Sequence, residues 1–242
     1  MSYIFREHIK QSLAVIAFLI ALTACTSESY DAGDGPNSYL TADLVLLHTS
    51  QDKSVRSALL DDGTTLQFSN PFAQDWLTRP DSVYRALLYY DKTVAASDAA
   101  ASNPTATSIV RARSVRPVSV LRPVEAEDME TLRTDPVGFE SLWMSKNGSY
   151  INLSLLLKSG KTEADDAMHA LGIVSHGTTT DADRRRTLHL TLYHDQGGVP
   201  AYYTVQQYVS IPTQLLEEAD TVELTLNTYN GKKVMKVAVS NL

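Results

Sequence analysis

The sequence predicts an all-β protein, a small OB-like β-barrel followed by an antiparallel β-sandwich, carried behind a signal peptide and a flexible tether. Three observations lead there. Nearly every periodic segment after Tyr39 repeats every two residues, the pattern of a strand with one buried face. Helix signals are short and few. The proline pair Pro117 and Pro123 separates two groups of strands. About five strands in roughly 80 residues suit a partly open barrel, and about seven in roughly 120 suit a sandwich.

The first 24 residues read as a signal peptide and are set aside from the fold. Arg6 and Lys10 make a basic start, and Ser12 to Leu22 is an unbroken run of apolar and small residues. That run is too short for a bilayer-spanning helix, which needs about 20 residues. It ends in Leu22-Thr23-Ala24-Cys25, which resembles a bacterial lipobox. Cys25 is the single cysteine of the chain. An exported protein with one thiol forms no internal disulfide, so the thiol needs another use. Lipidation of Cys25 supplies it, and a multiply acylated anchor holds firmly where a single chain holds marginally. Thr26 follows the cysteine where an Asp would favour the inner membrane, so the outer membrane is expected. The acidic run Ser27 to Asp31 resembles surface-export signals, which leaves the periplasmic and cell-surface faces both open. Residues 25–38, with Gly33, Gly35 and Pro36, cannot bury enough apolar surface to order themselves and read as the tether.

Loss of residues 1–24 removes two basic side chains and one acidic, moving the formal charge from −7 to −8. An acidic exported chain is a poor partner for nucleic acid. None is expected, despite Arg111, Arg113 and Arg116 on one strand of an OB-like barrel.

The barrel is expected over 39–122, with strands at Asp43–Thr49, Ser57–Phe68, Val83–Tyr90 and Ile109–Val115. Asp62-Gly63 marks a two-residue hairpin inside the second segment, pairing Leu59 with Leu66. Residues 93–107 lack large apolar side chains and read as a loop. The sandwich is expected over 123–242, with strands at Phe139–Met144, Tyr150–Leu157, Ala170–Ser175, Thr187–His194, Tyr202–Ile211, Thr221–Tyr229 and Lys233–Val239. Asn230-Gly231 predicts a type I′ hairpin that sets Leu226, Leu224 and Val222 opposite Met235, Val237 and Val239 on one face. Short helical turns are expected at Glu125–Leu132 and Thr213–Ala219.

Catalytic and metal motifs are absent. There is no GxSxG and no HExxH. His189 and His194 stand five apart on one strand and so face oppositely. His169 and His176 do the same if extended, so no metal or cofactor is expected. Tyrosine is enriched at partner surfaces. Tyr203 is expected to point with Val205, Val209 and Ile211 into the core, leaving Tyr202 and Tyr208 outside as a candidate partner surface.

The motifs LLDDG (Leu59 to Gly63), RALLYY (Arg85 to Tyr90), GSYINL (Gly148 to Leu153) and LTLYHDQGG (Leu190 to Gly198), behind a lipobox, resemble the NigD-like lipoproteins. The resemblance implies an N-terminal OB-like domain and a C-terminal β-sandwich. That family's founding member is linked to a bacteriocin locus, so an immunity-like role is implied by association, with no catalytic residue to carry over. The reading is a membrane-anchored, non-enzymatic envelope protein that binds a protein or glycan partner or serves structurally. The alternative is a hydrolase of envelope glycan with an unrecognised site.

Overall fold

The computed structural model describes residues 40–92, 108–161, 167–216 and 219–239. The signal peptide expected at 1–24, Cys25, the tether expected over 25–38 and the loop expected over 93–107 lie outside the described residues. Fourteen strands carry the described fold, with two short 3-10 turns at Ala126–Asp128 and Thr213–Leu215 where helical turns are expected.

Strands β1 (Leu40–Thr49), β2 (Val55–Leu60), β3 (Thr65–Phe72), β4 (Val83–Lys92) and β5 (Ser108–Pro117) close into a barrel in the order β1-β2-β3-β5-β4. Closure follows because β1 pairs antiparallel with both β2 and β4, and it leaves no edge strand. β3 and β5 run parallel, as in an OB barrel. Alternation fills the interior with Val45, Leu47, Ala58, Leu66, Ala86, Leu88 and Val110, together with Tyr90.

The remaining strands form two sheets. One is β14-β13-β11-β10-β7, from Gly231–Ala238, Thr221–Thr228, Arg186–Asp195, Ala170–Thr180 and Pro123–Glu125. The other is β6-β12-β9-β8, from Ser119–Val120, Tyr203–Pro212, Tyr150–Ser159 and Gly138–Met144. The sandwich is not antiparallel throughout. β11 and β13 are parallel neighbours, because β12 between them in sequence belongs to the opposite sheet, and parallel neighbours need such a crossover. Between the sheets lie Ile151, Leu153, Leu155, Leu157, Leu188, Leu190, Leu192, Val209, Ile211, Val222, Leu224 and Leu226. The edge strand β14 exposes Lys232, Lys233 and Lys236, charges that oppose edge-to-edge pairing.

Both hairpins differ from expectation in register, for one physical reason. Gly231 has a φ of 103° and Gly63 a φ of 87°, while Tyr229, Asn230, Asp61 and Asp62 stay at negative φ. A type I′ turn needs positive φ at both central residues. A type I turn followed by a left-handed glycine needs it only at the third loop position. The first loop is therefore three residues long, Asp61 to Gly63, while the second turns one residue earlier than expected, on Tyr229 and Asn230, with Gly231 the first paired residue of β14. In the first, Leu59 faces Thr65 and Ala58 faces Leu66, a one-residue slip that places Ala58, and not Leu59, in the barrel core. In the second, Leu224 faces Met235 and Val222 faces Val237, while Leu226 faces Lys233. A shift of two preserves the apolar face.

Candidate functional site

The site arises where a polar strand face is buried. Ile151, Leu153, Leu155 and Leu157 of β9 point into the sandwich, yet Asn152 and Ser154 between them are also covered, as is Ser210 on β12. Polar groups lose free energy on burial unless they are hydrogen-bonded. What covers Asn152 and Ser210 is the outer face of the barrel, whereas Ser154 is bonded to Glu140 and Gln206 of its own sheet. On β4, Ala86, Leu88 and Tyr90 point into the barrel, and Arg85 and Leu87 point out of it. Leu44, Leu87 and Val118 are buried in this seam, with Tyr89, Trp143 and Tyr208 packed against them.

Arg85 is the centre of the seam, with 5% of its surface exposed. Its guanidinium forks onto Asp61, donating from Nη1 to Oδ1 at 2.5 Å and from Nη2 to Oδ2 at 2.7 Å. Nη2 also donates to Asn152 Oδ1 at 3.1 Å, and Nε donates to Ser210 Oγ at 3.2 Å. Ser210 Oγ in turn donates to Asn152 Oδ1 at 2.7 Å. The guanidinium lies 4.3 Å from the centroid of the Tyr150 ring, a geometry that adds cation–π attraction. Planar, bidentate recognition of this kind suits arginine and not lysine. The network ties the β2–β3 hairpin and β4 of the barrel to β9 and β12 of the sandwich. The backbone reinforces it, since Asn147 N–H donates to the Asp61 carbonyl at 2.7 Å and Val118 N–H to the Arg85 carbonyl at 3.0 Å.

Beside the lock opens a cleft of about 560 Å³. Its barrel wall carries Asp43, Leu44, Asp61, Asp62, Tyr89 and Tyr90, and its sandwich wall carries Trp143, Met144, Lys146 and Tyr208. A concave space at a domain junction is a common place for a binding site, and this one sets aromatic rings beside carboxylates and hydroxyls in about equal measure. Trp143 and Tyr208 meet edge to face, with centroids 6.3 Å apart at 82°. The Tyr90 hydroxyl donates to Asp43 Oδ2 at 2.8 Å. Burial, and then that hydrogen bond, push the Tyr90 hydroxyl pKa well above its ordinary value, so it remains a donor. Burial would raise the Asp62 carboxyl, but hydrogen bonds from Thr64 and the Lys146 charge outweigh it and hold the group below its usual range.

Of the tyrosines expected outside, Tyr202 is 78% exposed just ahead of β12. Tyr208 lines the cleft instead, packed on Trp143. The two do not form one patch. Tyr203 is half-exposed, while Val209 and Ile211 farther along its face are fully buried; β12 enters the core only in its second half. Arg113 pairs with Asp91 on the neighbouring strand.

Spacing along the strands keeps the histidines apart, yet the fold brings two together. His169 Nδ1 lies 3.0 Å from His194 Nε2, with the rings stacked 5.2 Å apart. His194 Nδ1 lies 2.9 Å from the Asp135 carbonyl, so that nitrogen carries the proton and Nε2 accepts from His169. A second groove, of about 510 Å³, crosses His176, His189, Thr191 and Glu223. Its polar groups satisfy one another: His176 with Thr191 at 2.9 Å, His189 with Thr179 at 2.8 Å and Glu223 with Lys236 at 3.2 Å. Hydrogen bonds from Lys236 and His189 hold the Glu223 carboxyl below its ordinary range. Among the described residues no group of three or more His, Cys, Asp or Glu is arranged to hold a metal ion.

A family model described as the NigD-like C-terminal beta sandwich domain matches residues 120–239, the stretch that begins with β6. The chain belongs to the NigD-like proteins. Solved structures extend the likeness over the barrel. A NigD-like immunity protein from Bacteroides caccae shares 23% identity at a TM-score of 0.58, over 81% of the NigD-like chain and 91% of its own. A protein of unknown function from Bacteroides vulgatus shares 17% at 0.57, over 83% and 92%. A toxin-related protein from Parabacteroides distasonis shares 20% at 0.53, over 82% and 92%. At these identities the likeness is one of fold. No curated protein matches the sequence.

Proposed function

We propose that this NigD-like chain is an outer-membrane lipoprotein, anchored through Cys25, that acts by binding a partner and not by catalysis, in an immunity-like role against a secreted toxin. The observation that carries the reading is the Arg85 lock. It fixes barrel and sandwich as one scaffold and leaves a preformed cleft beside the seam. A scaffold that is already rigid loses little freedom on association, which favours a binding protein. The immunity element draws on the B. caccae relative, described as a NigD-like immunity protein. The anchor draws on the lipobox at Leu22 to Cys25.

Deletion of the gene, followed by challenge with culture supernatants of competing strains, tests the reading. Sensitivity should rise, wild-type protein should restore protection, and Cys25→Ala protein should not. Unchanged sensitivity across the whole panel refutes immunity. Full protection by Cys25→Ala removes the anchor from the mechanism.

A further inference from the structure

The seam continues past the Arg85 lock along the outer face of β12, β9 and β8. Register sets that face in rows: Ser210, Asn152 and Trp143 nearest the lock, then Tyr208, Ser154 and Ser141, then Gln206 and Leu156. Beside this floor stands the outer face of β4 and β5, with Leu87, Tyr89 and, opposite Leu87, Arg116. A second hollow of about 240 Å³ lies in the corner and shares Leu87, Tyr89 and Tyr208 with the larger cleft. The two hollows make one groove, with the rings of Tyr89, Trp143 and Tyr208 gathered where they meet.

A bulge supplies the polar side of the groove. The β8–β9 register shifts between Phe139 and Ser141, which leaves Glu140 unpaired, and a bulge re-aims the side chain it carries. Glu140 turns across the sheet face, where its Oε2 accepts from Ser154 Oγ at 2.6 Å and from Gln206 Nε2. Those bonds, Ser154 first, hold its carboxyl below the ordinary range. Among the described residues Oε1 meets no protein donor. Glu140 is exposed, so the network fixes an acceptor at the surface without serving the core. Charges along the groove cancel: Asp61 against Arg85, Asp62 against Lys146, and Glu140 against Arg116 of the barrel wall. Asp43 bonds Tyr90 on the barrel's inner face and lies outside this count. With no net charge to select an ion, selection falls to rings and hydrogen bonds. Sugars offer both, since the C–H face of a pyranose lies on an aromatic ring and its hydroxyls donate and accept at carboxylate and amide groups.

We propose that this corner binds a neutral glycan, a chain of uncharged sugar units stacked on Tyr89, Trp143 and Tyr208 and hydrogen-bonded by Glu140 and Gln206. The inference rests on the binding role read from the preformed cleft, and not on the toxin. Two joined hollows suit a chain better than a single sugar.

The test uses the mature lipidated protein in a polyoxyethylene detergent, which carries no sugar, with the two tryptophan indole N–H resonances as reporters. Trp143 lines the groove, while Trp76 packs on Tyr84 in the barrel and serves as internal control. Cellotetraose, maltotetraose, mannotetraose and xylotetraose form the panel. At least one should shift the Trp143 resonance saturably and leave Trp76 in place. Added salt should not weaken that response, because no ion pair is made. Glu140→Gln keeps the shape and removes the charged acceptor; it should weaken the responding sugar about tenfold, equivalent to about 1.4 kcal/mol. His176→Ala, on the opposite sheet in the second groove, should bind as wild type does.

Silence of Trp143 to the whole panel overturns the proposal, as does equal affinity in Glu140→Gln. A shift with tetra-arginine, tetra-glutamate or tetragalacturonate, and none with the neutral sugars, overturns it in favour of a charged ligand. The toxin challenge reads the immunity role separately, so either reading can fail while the other stands.

Discussion

Replacement of Arg85 by alanine gives the sharpest test of the seam. The substitution strands the Asp61 carboxylate and removes a donor from Asn152 and another from Ser210, both of which are fully buried. Breaking a buried ion pair from one side costs about 3–5 kcal/mol, because the partner charge is left uncompensated. For a chain of this size each kcal/mol moves Tm by about 2–4 °C, so a fall of about 6–20 °C is expected. The assay is urea and thermal unfolding of a soluble mature Cys25→Ala protein, followed by tryptophan fluorescence and circular dichroism. Arg85→Met combined with Asp61→Leu removes both charges and should recover most of the loss, since an apolar pair of similar volume often replaces a buried ion pair at little cost. The Arg85→Ala protein should also unfold in two steps, because the sheets and the barrel keep separate cores. A loss below about 1 kcal/mol, typical of an exposed pair, would refute the idea that this residue holds the domains together.

Three further outcomes follow from the packing of the glycine turn, the sandwich core and the histidine pair. Gly197 and Gly198 both have positive φ, but a Cβ on Gly197 would lie 2.1 Å from the Met168 carbonyl oxygen, while one on Gly198 meets open space. Gly198→Ala should cost about 1–2 kcal/mol from backbone strain alone, and Gly197→Ala clearly more; equal losses by denaturant titration would contradict this. Ile211→Ala should cost about 2–5 kcal/mol as a cavity in the sandwich core, whereas Val205→Ala, on the same strand but 36% exposed, should stay within about 0.5 kcal/mol. Burial, and then the charge of His194, hold the His169 imidazole below its ordinary pKa of 6.5. The unfolded chain therefore takes up this proton first as pH falls. Stability is unaffected above pH 6.5 and declines below it, until the folded imidazole also protonates. Tm should drop between pH 6.5 and 5, and His169→Gln should flatten that slope; an unchanged slope would remove His169 as its source.

The fold was legible because alternation is a local signal. β9 reads Ile151, Leu153, Leu155, Leu157 on one side whether or not anything else is known. Hairpin registers were less so, since Asn230-Gly231 and Asp62-Gly63 each also fit a turn that starts one residue earlier. The glycine φ, set by the twist of the flanking strands, decides between them. The seam left a trace that strand counting passes over. RALLYY of β4 carries apolar residues on both faces, as a strand covered on two sides does. LLDDG supplies Asp61 and Asp62, RALLYY supplies Arg85, Tyr89 and Tyr90, and GSYINL supplies Tyr150 and Asn152. Three of the four segments that carry the family resemblance thus help to build the seam. Their partnership stayed hidden because Arg85 meets Asn152 and Ser210 across 67 and 125 residues, distances at which spacing conveys nothing. The His169–His194 contact, 25 residues apart across the β10–β11 pairing, was hidden in the same way.

Those separations also impose an order of events. Asp61 precedes Arg85 by 24 residues, so the ion pair can form as soon as the barrel strands have been made. Asn152 and Ser210 come much later in the chain, and Ser210 sits on a strand that needs β9 beside it. Until then the nascent barrel shows Leu44 and Leu87 to its surroundings and an arginine with half its partners missing. Closing so long a loop comes late in folding, after the local hairpins. The second half of the protein therefore acts on the first as a delayed lid, and the interval before it arrives is when this chain most needs shelter from its neighbours.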